Sequence, residues 1–291
     1  MPLVYDPPVF RPPSEADSLI LQVTIGCSHN RCTFCAMYRG KRFRTKTDEE
    51  IRSDVAEARA QYGANVRKVF LADGDAMCLS FHRLAAILEL LNEAFPRLAR
   101  VGIYANARDI LSKTDDDLAA LRRGKLKIVY LGLESGDDVT LAAVNKGVTV
   151  AEMVTAGTRA RAAGLATSVM VLVGLAGVAR SLVHARLSAE AINAMGASYT
   201  ALLTYTPVDG TPLFGAIEHG AFAVPSPRES LVEIREFVSA VTIDTYFTCN
   251  HASNYLPLVG RLPRARTEML ACLDAALAGS IPLKPEFLRG L

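Results

Sequence analysis

Six short apolar runs, each followed by a stretch with helical spacing, leave this chain very few folds to choose from. The runs are 19–25 (LILQVTI), 68–71 (KVFL), 101–105 (VGIYA), 128–133 (IVYLGL), 169–173 (VMVLV) and 199–204 (YTALLT). Between them, apolar residues recur every three or four positions, as Ile51, Val55 and Ala58 do in 47–61 and as the run HRLAAILELLNEA does at 82–94. Regular strand–helix alternation calls for a parallel sheet with right-handed crossovers. The strand runs read as near-continuous apolar stretches, as strands covered on both faces do. Polar and Gly-rich clusters recur just past the strands, the end at which barrel folds carry their active sites. Six such rounds predict an α/β fold, a partial (β/α)6 barrel of TIM type, with a doubly wound open sheet as the competing arrangement. An irregular stretch at 247–260 and a last helix at 264–278 are expected beyond the sixth round. The division expected is an extended Pro-rich arm at 1–17, a (β/α)6 core at 18–245, and an irregular and helical extension at 246–291 that closes the barrel.

Half of the 291 residues are hydrophobic, enough for one large core, and the net charge of +2 makes no electrostatic case for a nucleic-acid partner. No apolar run reaches the roughly 18 residues that span a bilayer; the longest, 167–179, is interrupted by Gly174 and Gly177. The N-terminus lacks the basic-then-apolar pattern of an export signal, so a cytoplasmic location is expected. There, six cysteines point to metal binding or catalysis rather than to a disulfide framework.

Three of those cysteines, Cys27, Cys32 and Cys35, sit in the segment GCSHNRCTFC that follows the first apolar run. Three thiols so close on a polar loop do not look like core packing. The spacing C-x4-C-x2-C leaves several readings open. One is a structural zinc site with His29 as fourth ligand. Another is a two-iron cluster of the plant ferredoxin type, with Cys78 completing the set. A third is a 4Fe–4S cluster on three thiolates, with one iron left open. Of the other cysteines, Cys78 and Cys272 read as packing residues. Cys249 lies in a polar run, 248–255, that brings His251, Asn254 and Tyr255 with it.

The motifs on successive strand ends resemble those of the radical S-adenosylmethionine (SAM) superfamily, and of its branch related to coproporphyrinogen-oxidase and Elongator-type enzymes. That family carries C-x3-C-x2-C after its first strand; here the first gap is one residue longer, and Phe34 stands before the last cysteine as in the family. Asp73-Gly74-Asp75 is similar to the Gly-Gly-Glu-like turn that meets the SAM amino group. Glu134 and Ser135 resemble the strand end that reaches the ribose hydroxyls. Lys146, in 144–147, resembles the basic residue that pairs with the SAM carboxylate. Gly174, in 173–177, resembles the glycine-bearing loop near adenine, and 207–213 resembles the element after the sixth strand. Asn106 and Arg108 end the third strand and are further candidates to contact SAM or substrate.

The resemblance implies a 4Fe–4S cluster on Cys27, Cys32 and Cys35, and S-adenosyl-L-methionine as co-substrate. It implies reductive cleavage of SAM to a 5′-deoxyadenosyl radical that takes hydrogen from a small-molecule substrate. It also implies an electron donor such as flavodoxin or ferredoxin. His251 and Tyr255 are the candidates for assisting proton or hydrogen transfer. The competing activities are transfer of a 3-amino-3-carboxypropyl group from SAM, and a non-catalytic iron–sulfur electron carrier.

Overall fold

The structure, a computed structural model, describes residues 3–290. Strand β1 (Leu19–Gln22) runs into a two-residue strand, β2 (Thr24–Ile25), which pairs antiparallel with β3 (Arg44–Thr45). The first apolar run is therefore two strands, and the cysteine loop hangs between β2 and β3. Helix α1 (Asp48–Tyr62) opens on a capping box in which Thr47 and Glu50 satisfy each other's backbone amides. Strand β4 (Lys68–Ala72), helix α2 (Phe81–Ala94) and strand β5 (Arg100–Ala105) follow. Along α2 the buried residues are Leu84, Ile87, Leu88 and Leu91, one stripe of a 3.6-residue period. The chain continues through α3 (Ala107–Leu111), α4 (Asp115–Arg123), β6 (Leu126–Glu134), α5 (Asp138–Ala143), α6 (Val150–Ala162), β7 (Ala166–Val173) and α7 (Gly177–Met195). It ends with β8 (Tyr199–Thr204), α8 (Pro212–Glu218), α9 (Pro227–Ala240), β9 (Thr245–Thr248), β10 (Val259–Leu262) and α10 (Arg266–Leu277).

The larger sheet has eight strands in the order β1-β4-β5-β6-β7-β8-β9-β10. Its pairs are parallel from β1 to β6 and from β7 to β9, and β10 runs antiparallel to its neighbour β9. The stretch expected to be irregular thus holds strand at both ends. Thr245 and Phe247 are buried while Tyr246 is exposed, and Phe247 stacks on Phe237 of α9 at 6.3 Å. A four-residue strand is too short to declare itself by alternation. Helices α3 and α8 were likewise not expected: each is short and starts within two residues or so of a motif that reads as loop.

The chain divides into two compact units. The first comprises residues up to Asn30, Met37–Leu131 and Arg159–Thr167. Its core includes Phe70, Ala72, Ile128 and Tyr130, with Phe70 edge-on to Tyr104 at 4.9 Å and to Tyr130 at 5.7 Å. The N-terminal arm inserts Glu15 into this unit, where the fully buried carboxylate accepts from Tyr130 Oη (2.5 Å) and pairs with Arg100 (2.8 Å). The second unit comprises Arg31–Ala36, Gly132–Thr158 and the chain from Ser168 onward. There Phe34, Val144, Leu175, Tyr205 and Leu213 share one apolar cluster.

Candidate functional site

In the first unit, Gly26 leaves β2 with φ +79° and presents Cys27. Asp73, just past β4, fixes this start of the loop. One of its carboxylate oxygens accepts from Lys41 Nζ (2.9 Å), Gly26 N (3.1 Å) and Gln22 Nε2 (3.3 Å). Lys41, its side chain only 6% exposed, also donates to the Asp6 and Pro8 carbonyls of the arm. The neighbouring Gly74 must stay without a side chain because a Cβ would fall 2.4 Å from the Tyr38 ring. Burial and then Asp73 push the Tyr38 phenol well above its ordinary pKa. Asp75 accepts from the Ser28 hydroxyl, next to Cys27.

Asp109, on α3, stands beside Asp75. Burial, then the Asp75 carboxylate, push it up to about 8. Lys113 donates to Met77 O (2.8 Å) and Asp109 O (3.0 Å), and burial pulls its ammonium below the usual value. The same surroundings push the Cys78 thiol up to about 12, burial leading and Asp75 and Asp109 adding, which keeps it a protonated packing residue. Asn106 starts α3 in a capping box with Asp109. Arg108 is exposed on the first turn of that helix.

In the second unit, Cys32 and Cys35 are held by backbone. Cys35 N donates to Cys32 O (3.3 Å), Thr33 N to Val144 O (2.9 Å), and Leu213 N to Thr33 O (3.0 Å). Asn145 Nδ2 adds a bond to Arg31 O (3.1 Å). The part of the loop carrying Phe34 is thereby fastened to the turn that carries Lys146 and to the start of α8.

Glu134 closes β6 at φ +61°, a left-handed conformation that costs a non-glycine residue about 1 kcal/mol or more. Its Oε1 accepts from Lys146 Nζ at 2.9 Å, both side chains being buried. Its other oxygen, Oε2, is buried with no partner among the described residues. A Cβ at Gly132 would lie 2.1 Å from Oε1, so that glycine clears the space for the pair. Ser135 is fully buried, and its hydroxyl accepts from Asp137 N (3.0 Å).

A second network, missed in the sequence, fixes Glu134 and Gly174 together. Buried Glu233 of α9 accepts from Gly174 N (2.8 Å), from the Ser181 hydroxyl, and lies 3.0 Å from His184 Nδ1. His184 Nε2 donates to Glu134 O (3.3 Å). The signal was present: Glu233 is a charged residue within the spacing of the buried Ser230, Leu231, Ile234, Phe237 and Val238. Gly174 itself has φ +85°.

His251 and Tyr255 take different positions. His251 Nδ1 meets its own turn at Ser253 (2.9 Å), and burial, then Lys284, pull its pKa below the ordinary value. Asn254 is spent on Thr204 (2.9 Å) and Leu202 O (2.8 Å). Tyr255 instead lines a cavity with Gly174 and Tyr205, where its hydroxyl donates to Glu286 Oε2 (3.0 Å).

Residues 21–183, more than half of the chain, match the profile of the radical SAM superfamily. The chain belongs to the radical SAM superfamily. No curated protein matches it in sequence. Solved structures with a similar fold include methylornithine synthase, at 18% identity and a TM-score of 0.55, covering 78% of this chain and 63% of that one. Coproporphyrinogen III oxidase from Escherichia coli is similar at 18% identity and TM-score 0.56, covering 76% and 51%. The radical SAM methyltransferase TsrM from Kitasatospora setae, solved with cobalamin and a 4Fe–4S cluster, is similar at 17% identity and TM-score 0.56, covering 92% and 55%. At these identities the likeness concerns the fold, and the chain spans less than two thirds of each of those proteins.

The partial TIM-type barrel class expected for this radical SAM protein is the family's own. The family uses a 4Fe–4S cluster and SAM. The donor set here fits a cluster: the six cysteines are thiols, none in a disulfide, and three of them fall within residues 27–35. Among the described residues no three His, Cys, Asp or Glu side chains are already gathered at metal-holding distance. The buried, unpartnered Glu134 Oε2 and the cleared space at Gly132 fit a polar ligand in the second unit. No described helix is long and apolar enough to cross a membrane.

Proposed function

We propose that this radical SAM protein is an enzyme acting on a small-molecule substrate, reduced by a donor such as flavodoxin or ferredoxin. What carries the reading is the loop of Cys27, Cys32 and Cys35 lying within the matched family segment. The cluster and SAM, when bound, supply one-electron cleavage of a carbon–sulfur bond and a 5′-deoxyadenosyl radical that takes hydrogen from the substrate.

The chain's own residues do the positioning. Cys27, Cys32 and Cys35 would hold the iron, and Phe34 anchors the loop in apolar packing. Asp73 holds the loop through one carboxylate oxygen, on Lys41 and Gly26, and its other oxygen, buried with no partner among the described residues, would remain for SAM, while Gly74 admits Tyr38 and would let the backbone approach SAM closely. Asp75 would accept from the SAM amino group. Lys146 would share its charge between Glu134 and the SAM carboxylate, while Glu134 Oε2 and Ser135 would serve the ribose hydroxyls. Gly174 would let the backbone approach adenine. Asn106 and Arg108 would contact SAM or substrate, and His251 and Tyr255 would serve the substrate.

Anaerobic reconstitution with iron and sulfide, followed by SAM and dithionite, tests the reading. Release of 5′-deoxyadenosine supports it. Release of 5′-methylthioadenosine instead would assign aminocarboxypropyl transfer, and a cluster spectrum that ignores SAM would assign an electron carrier.

A further inference from the structure

A cavity of about 200 Å³ opens in the second unit at the C-terminal ends of β7 and β8, lined by Gly174, Thr204, Tyr205, Tyr255, Glu286 and Arg289 among others. At about 30 Å³ per water it has room for a group the size of a small organic acid. Its polar wall is unusual in how its charges are placed. The Arg289 side chain is only 5% exposed, while the Glu286 carboxylate that pairs with it is 70% exposed. A buried guanidinium is therefore neutralised by an anion that reaches in from the surface.

The donor count leaves the guanidinium unfinished. Nε donates to Ser253 O (2.7 Å), and Nη1 donates to the Tyr255 hydroxyl and to Glu286 Oε1 (2.5 Å). Nη2, with two of the five N–H groups, donates to none of the described residues. The Arg289 guanidinium also lies 3.9 Å from the Tyr255 ring centroid, which fixes its plane. Tyr205 also lines the cavity, and its hydroxyl is buried without a hydrogen-bond partner among the described residues. A planar fork with open donors and a second open hydroxyl is a built receptor for a carboxylate. Because Glu286 is an exposed partner, swinging it into solvent costs little.

We propose that this cavity is the carboxylate-recognition site for the enzyme's substrate, with Glu286 holding the place of the substrate carboxylate on Arg289 until the substrate arrives. The proposal rests on the enzymatic reading above and names the substrate class: a small molecule bearing a carboxylate. Tyr255 belongs to this recognition site. Burial, then Glu286, hold its phenol above the usual pKa, so it stays a donor.

Titration calorimetry on the cluster-loaded protein tests it with succinate, inorganic phosphate and S-adenosylhomocysteine as probes. Succinate is expected to bind, E286Q to tighten it about tenfold by removing the resident carboxylate, and R289Q to abolish it. Tyr205→Phe is expected to weaken it severalfold. E286Q leaves the guanidinium in place, so the test stands even where R289Q loses its fold. Equal succinate affinity in R289Q, no succinate binding in E286Q, or binding of phosphate alone would overturn the proposal. Displacement of succinate by S-adenosylhomocysteine would give the site to the cofactor and overturn it as well. Iron content and SAM cleavage, read on the same samples, report failure of the enzymatic reading separately.

Discussion

At the scale of single residues, several side chains of the candidate site are held tightly by their neighbours. Gly74 is required by the Tyr38 ring, so Gly74→Ala is expected to cost about 1–3 kcal/mol in chemical denaturation, the usual cost of overpacking. Glu134 and Lys146 are a buried ion pair, and such pairs are costly to break from one side. Glu134→Ala is expected to destabilise by about 3–5 kcal/mol, and the double variant with Lys146→Ala to recover part of that loss, which a double-mutant cycle measures.

Asp109 makes a pH-dependent contribution. Its folded value of about 8 lies above the ordinary 3.8, so the folded chain keeps a proton that the unfolded chain gives up. Stability from this group is present at low pH and is lost as pH rises between about 4 and 8. Urea midpoints of the metal-free protein across that window are expected to fall with pH, and Asp109→Asn to flatten the fall while keeping the cap on Asn106 N.

At the scale of elements, the loops at the strand ends are set by helices distant in sequence. Glu233 on α9 fastens the loop after β7, and through His184 on α7 the end of β6. Glu233→Gln is expected to cost about 2 kcal/mol and to speed hydrogen exchange at the Gly174 amide by an order of magnitude or more. Unchanged exchange there would mean the loop holds itself.

The same elements show what a sequence displays and what it conceals. The six strands of the βα rounds announce themselves because each is a mostly apolar run, and α2 because its stripe is regular. β9 and β10 stay hidden because four residues cannot carry a pattern. Cys27, Cys32 and Cys35 are legible as a set because they are local. Lys41, Asp109, His184 and Glu233 are not, since their roles depend on partners 32, 34, 49 and 59 positions away in the chain, at Asp73, Asp75, Glu233 and Gly174. Asp73 was legible as important, but its work of holding Lys41 and Gly26 emerged only from its three hydrogen bonds.

At the scale of the molecule, the cysteine loop is fastened at several points, Gly26 and Lys41 on Asp73, and Thr33 on Val144 and Leu213. Substitutions that loosen any of these fastenings are expected to reduce iron loading even where no ligand is touched. Lys41→Met is the sharpest instance, because it leaves the buried Asp73 carboxylate without its cation. The central claim, however, is that three thiols hold a SAM-cleaving cluster. Iron and 5′-deoxyadenosine, measured together after anaerobic reconstitution of the wild type and of Cys27→Ala, Cys32→Ala and Cys35→Ala, test it most directly. About four irons per chain are expected in the wild type, with SAM cleavage to 5′-deoxyadenosine, and loss of both in each single variant. Zinc in place of iron, or full iron loading and cleavage in all three variants, would contradict it.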